Sequence, residues 1–147
     1  MATTLTMPDP WIWRCDRVIP SDTAAGRQLL DEVLAHLEAE HWVQHDIFGV
    51  HLAMEEALVN AIQHGNRLDA RKNVHVSCRM APDRVQIEIA DEGPGFNPNV
   101  LPDPTCSDRI HKPGGRGVML MRAFMNRVEF NDKGNCVVME KQRAREG

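Results

Sequence analysis

What this chain lacks narrows its class before any motif is read. No apolar run in its 147 residues approaches the roughly 20 needed to cross a bilayer, so no spanning helix is expected. The opening stretch, MATTLTMPDPWIWRCD, has no basic segment followed by an apolar block and so does not look like a signal peptide. Positive charge is not in excess. A formal net charge of −4 offers a nucleic acid no electrostatic footing. No two of the four cysteines (Cys15, Cys78, Cys106, Cys136) form the CxxC pair common in zinc sites, and reduced thiols in a cytoplasmic protein are expected. His36, His41 and His45 fall near helical steps, but no carboxylate or cysteine completes a metal site, so they read as a surface cluster. The familiar nucleotide loops are missing too. There is no GxxxxGK[ST], and GPGFNP has neither the third glycine nor the immediate helix of a dinucleotide-binding turn.

The composition present is that of a globular protein, 42% hydrophobic and 26% charged, in a length suited to one domain. Met1–Pro10 reads as a loose lead-in, residues 11–142 as the domain, and 143–147 as a tail. Trp11–Ile19 alternates as a strand and stops at Pro20. Ser21 or Asp22 can cap a helix reaching about His41, striped by Leu29, Leu30, Val33, Leu34 and Leu37. A second helix is expected over Gln44–His64, closed by Gly65 as its C′ residue. Strands over Asn73–Met80 and Arg84–Ala90 follow, joined by a turn at Ala81-Pro82-Asp83. Next comes a stretch with five prolines and five glycines, DEGPGFNPNVLPDPTCSDRIHKPGGRG, too long for an ordinary connection. A third helix, VMLMRAFMNRV, places Val118, Met121, Phe124, Met125 and Val128 on one side, and VEF with CVVMEKQ closes the chain as a hairpin. This order predicts an α+β two-layer sandwich: a mixed or antiparallel sheet covered on one face by three helices.

The second helix carries an odd strip. Apolar residues cover more than half its circumference, and the remainder holds Gly49, Ala53, Glu56, Asn60, Gln63 and His64. Small residues beside a carboxylate and an amide suggest that something approaches the helix closely. A plain solvated strip is the other reading, and Glu55, inside the apolar arc, has no evident partner.

Two glycine clusters bear on the choice. Asp91 ends a strand and is followed by Gly93 and Gly95, where backbone can approach a ligand and Asp91 can accept from an exocyclic amine such as adenine's. Gly114, Gly115 and Gly117 open a helix, where free N–H groups and the dipole favour phosphate, with Arg109, Lys112 and Arg116 nearby as cations. Each cluster alone could be a turn or a hinge. The ordered set is more specific: ExxxN on a helix, a strand into DxGxG, a long loop, then GxG into a helix.

That set resembles the GHKL ATPase superfamily and its Bergerat ATP-binding fold, in EALVNAIQHG, DEGPGF and GGRGVMLM, over about Pro20 to Gln142. Within it the chain is most similar to bacterial anti-sigma factor serine/threonine kinases. The resemblance implies an ATP- and Mg²⁺-dependent kinase that phosphorylates an anti-anti-sigma (STAS-like) protein and holds a sigma factor or another regulator, with a homodimer also implied. Glu56 would be the general base and Asn60 the magnesium ligand, with His64 near the nucleotide. Asp91 would read adenine, with Gly93 and Gly95 against the base. Gly115, Gly117 and Val118 would meet the phosphates under a lid, Phe96–Pro113. Two departures stand out. Pro113 occupies the place of an arginine often found before the second glycine box, leaving Lys112 or Arg116 to meet the γ-phosphate. Cys136 and Val137 stand where the last strand often supplies a threonine. The first departure leaves a second reading open, a nucleotide-sensing module that sequesters a partner without efficient phosphotransfer.

Overall fold

The computed structural model describes residues 9–95 and 116–144. Alternation of side chains builds the sheet. β1 (Trp13–Pro20), β2 (Asn73–Ala81), β3 (Arg84–Ala90), β4 (Arg127–Phe130) and β5 (Cys136–Gln142) pair in the order β1-β2-β3-β5-β4. Every pairing is antiparallel, so of the two options the sequence left open the sheet takes the second. Residues at period two face the helices (Val74, Val76, Cys78 and Met80 on β2; Val85, Ile87 and Ile89 on β3), while His75, Arg79 and Glu88 face outward.

Three helices cover the inner face: α1 (Thr23–Ala39), α2 (Gln44–Val59) and α3 (Arg116–Phe124). Asp22 caps α1, its carboxylate accepting from the Ala24 N–H at 3.0 Å. Ser21, the other candidate cap, is buried instead, its hydroxyl donating to the Lys72 carbonyl. Leu30, Val33 and Leu37 of α1 and Val50 and Met54 of α2 are almost wholly enclosed, each such side chain contributing about 1.5–3 kcal/mol by leaving water. Trp42 joins this core, Trp13 stacks on His36, and Trp11 lies beneath the guanidinium groups of Arg79 and Arg84.

The structure corrects the sequence reading in two places. The second helix is not α-helical to His64: α2 ends at Val59, and a π-helix runs Asn60–Gly65, its wider turn closed by the Asn66 N–H to the Ala61 carbonyl. Gly65 is not a left-handed cap either. The left-handed residues just after it are Arg67 (φ 53°) and Leu68 (φ 57°). The third helix also stops early. Val118, Met121 and Met125 are buried as the stripe requires, but Val128 belongs to β4, opposite Met139. At that point pairing with β5 outcompetes one more helical turn, because it satisfies the backbone of an otherwise unpaired sheet edge.

Candidate functional site

A small cleft, partly open to solvent, lies between the π-helix, the end of β3 and the β4–β5 hairpin. Asn60, His64, Gly65, Asp91, Gly95 and Cys136 line it, together with Phe130, Asn135 and Val137. Residues from two of the three parts of the expected motif set, the Asn-bearing helix and the Asp-bearing loop, therefore meet in one place.

At one end stand Glu56 and Asn60, one helical turn apart. Both point at the first turn of α3: a Cβ placed on Gly117 would sit 3.0 Å from Glu56 Oε2 and 3.2 Å from Asn60 Nδ2. Glycine is thus the residue that lets a helix N-terminus reach a carboxylate and an amide together. Asn60 Nδ2 is buried with no hydrogen-bond partner among the described residues, as are Trp42 Nε1 and Arg84 Nε elsewhere, but Asn60 alone of the three lines the cleft, where a ligand can supply one. The small residues of the strip have a different use from the one expected. Gly49 lies against the Phe124 backbone and ring, and Ala53 is wholly buried, so the element approaching α2 there is α3. Gln63 turns away into a groove between α1 and α2. Glu55, on the rim of that groove, faces His51 at 3.6 Å.

At the other end the backbone closes tightly around Asp91. A Cβ on Gly65 would fall within the Asp91 carboxylate, and one on Gly93 would collide with the Gly65 carbonyl. The Asp91 carboxylate accepts from the Gly93 N–H at 2.8 Å, and its own N–H donates to the Asn135 carbonyl at 2.9 Å. Burial pushes the Asp91 pKa up, against the opposing pull of the Gly93 N–H, Lys72 and Lys133. Gly95, at φ +84°, brings the loop against the Lys133 carbonyl, joining it to the β4–β5 turn.

Other expected positions fall outside this geometry. Lys112, Gly115 and the lid Phe96–Pro113 lie outside the described residues, as does the side chain of Arg116. The Val118 side chain is fully buried in the core, so only its backbone N–H is a candidate for phosphate. Among the described residues no group of three His, Cys, Asp or Glu side chains could hold a metal ion, and His36, His41 and His45 form no such set. No helix is long and apolar enough to cross a membrane among those residues.

Asn66 escaped the sequence reading. It is 1% exposed, its amide donating to Ser21 Oγ and the Asn73 carbonyl and accepting from the Glu92 N–H. Its place directly after HG was the available clue, but an asparagine there reads equally well as a turn residue. Asn135, from the β4–β5 turn, was missed for the same reason.

A sheet with helices on one face, an Asn-bearing helix and an Asp-bearing loop lining one cleft, and a glycine-opened helix beside Asn60 define a nucleotide-binding domain. The chain belongs to the histidine kinase-like ATPase domain family, whose profile matches residues 19–141. It is similar to the serine/threonine-protein kinase BtrW of Bordetella bronchiseptica, 28% identical over 93 residues that span 62% of this chain and 66% of that one. It is also similar to the serine-protein kinase RsbW of Bacillus licheniformis, 33% identical over 105 residues (65% and 64%). The anti-sigma F factor of Clostridium perfringens is 28% identical over 102 residues (66% and 73%). In fold, the chain matches the RsbU and RsbW domains of a Mycobacterium tuberculosis protein with a TM-score of 0.60 at 15% identity, over 89% of this chain and 32% of that one. The matches thus span about two thirds of the curated relatives' length, and a third of the solved chain.

Proposed function

We propose that this chain is an ATP-dependent serine/threonine protein kinase of the anti-sigma factor type. It phosphorylates a hydroxyl on an anti-anti-sigma (STAS-like) partner and sequesters a sigma factor or another regulator. The names of the relatives support this, two being protein kinases and one an anti-sigma factor. The observation that carries it is the convergence of Glu56 and a partnerless Asn60 amide on Gly117, with Asp91 at the far end of the same cleft.

The roles follow from chemistry and position. Asp91 accepts from the adenine amine, with Gly93 and Gly95 against the base, Cys136 and Val137 lining the pocket, and His64 near the nucleotide. The N–H groups of Gly115, Gly117 and Val118 receive phosphate oxygens at the start of α3. Asn60 would hold Mg²⁺, a hard cation taken by oxygen donors, through its side-chain oxygen, leaving Nδ2, unpartnered among the described residues, to donate to a phosphate oxygen. Bound there, Mg²⁺ supplies neutralisation of phosphate charge. Glu56 takes the proton from the attacking hydroxyl as its oxygen bonds to the γ-phosphorus and ADP departs. Lys112 or Arg116 meets the γ-phosphate in place of the arginine that Pro113 displaces. Positioning and charge neutralisation then account for most of the acceleration.

Calorimetric titration with ATP, with and without Mg²⁺, tests the reading on the unaltered chain, Asn60→Ala and Glu56→Ala. Binding that needs Mg²⁺ and Asn60 but tolerates Glu56→Ala supports it, and a phosphotransfer assay with candidate partners follows. Binding without transfer to any partner points to the sequestering module instead, and no ATP binding at all overturns both.

A further inference from the structure

Among the described residues, the loop carrying Asp91 is tied to the end of the π-helix through one buried side chain, that of Asn66, which follows Gly65. Asn66 accepts the Glu92 N–H at 2.8 Å and donates at 2.9 Å to Ser21 Oγ and at 2.9 Å to the Asn73 carbonyl. A backbone N–H can only donate and a carbonyl can only accept, so these contacts fix which way the amide points. Ser21 in turn donates a hydrogen bond from its hydroxyl to the Lys72 carbonyl at 2.6 Å. The knot gathers the end of β1, the start of β2 and the turn after β3 onto the residue that follows Gly65. Asp91 sits one residue before Glu92, its carboxylate where a Gly65 Cβ would be. Nothing else described ties the Glu92 N–H, whereas the N–H groups on either side are held by Asn135 and by Asp91 itself.

We propose that Asn66 is a positioning residue for base recognition. By holding the Glu92 N–H it fixes the Asp91 carboxylate at the distance and angle that accept an exocyclic amine on the base. The proposal rests on the nucleotide-binding reading above and deepens it. Asn66 touches no nucleotide and acts through Asp91. It also joins the two halves of the cleft, since the segment that begins with Asn60 at the phosphate end finishes with Asn66 at the base end.

The test compares ATP with ITP, which carries a carbonyl in place of the adenine amine. A hydrogen bond to a charged acceptor makes the unaltered chain favour ATP by about 10- to 100-fold in Kd. In Asn66→Ala the ATP:ITP ratio falls to about one while the requirement for Mg²⁺ persists, because the phosphate end is untouched. Ser21→Ala is the structural control. It loosens the knot but leaves the Glu92 bond, so melting temperature falls and the ratio holds. An Asn66→Ala protein that folds and keeps the full ratio overturns the proposal and leaves the kinase reading standing. An unaltered chain that binds neither nucleotide overturns both. Hydrogen exchange on the unaltered chain needs no variant to fold: a protected Glu92 amide supports the clamp, and exchange at the rate of an unstructured amide overturns it.

Discussion

The two ends of the cleft are built on opposite principles. Around Asp91, backbone and side-chain groups are bonded to one another through Gly93, Asn66 and Asn135, and glycines at 65 and 93 bring the chains closer than any side chain allows. Around Asn60 the reverse holds: its Nδ2 is buried without a partner among the described residues, beside a carboxylate and the first turn of a helix. A base is recognised by shape and by one or two directed hydrogen bonds, which a rigid surface presents at little entropic cost. A triphosphate brings its own charge and cation, and an unsatisfied polar end gains most when they arrive. The difference teaches that unsatisfied polarity marks where chemistry belongs only where it meets a cleft, since Trp42 Nε1 and Arg84 Nε are also buried without a partner among the described residues but lie away from it.

Substitutions can break that contrast. The largest expected effect is on rate: Glu56→Gln lowers phosphotransfer by about 10²- to 10⁴-fold with little change in the Kd for ATP, measured by single-turnover kinetics and calorimetry. If ATP affinity collapses as well, Glu56 belongs to binding and not to proton transfer. Gly65→Ala attacks the bonded end. Its methyl group lands in the Asp91 carboxylate, so denaturant unfolding should show a loss of about 1–3 kcal/mol together with loss of ATP binding. A variant as stable as the parent would mean that the abutment yields easily.

Asn60→Ala separates the two ends. ATP affinity in Mg²⁺ falls by about 10-fold or more, yet stability holds or rises, since the change deletes a buried donor with no partner among the described residues. The smallest effect concerns pH. The folded pKa of Asp91 lies above its ordinary 3.8, so the folded protein holds that proton more tightly than the unfolded chain. Stability therefore declines as pH rises from 3.8 through the folded value, and stays lower beyond it. Asp91→Asn removes that decline, giving a small gain in melting temperature at neutral pH and none in acid. The same substitution abolishes the preference for ATP over ITP.

Much of this was legible in advance. β2 and β3 declare themselves by strict alternation, and α1 by its leucine stripe, because these patterns record which side is buried. Glu56, Asn60, Asp91 and the glycines around them stood out as residue types too specific for their surroundings. The π-helix did not, since a run such as NAIQHG carries no mark of whether its N–H groups reach back four residues or five. Gly65 was singled out for the wrong reason. Its missing side chain makes room for Asp91, 26 positions on in sequence, and does not serve a left-handed cap.

The sequence by itself determined the period of β2, β3 and α1, and the order in which carboxylate, amide and glycine boxes come along the chain. Those are local properties, written in spacing and side-chain type. Only the tertiary structure decided that Gly117 meets Glu56, that Asp91 fills the space beside Gly65, and that Asn66 binds Ser21, Asn73 and Glu92 into one knot. Each of these is a contact between separate segments, and its energy exists only once the sheet has set their register.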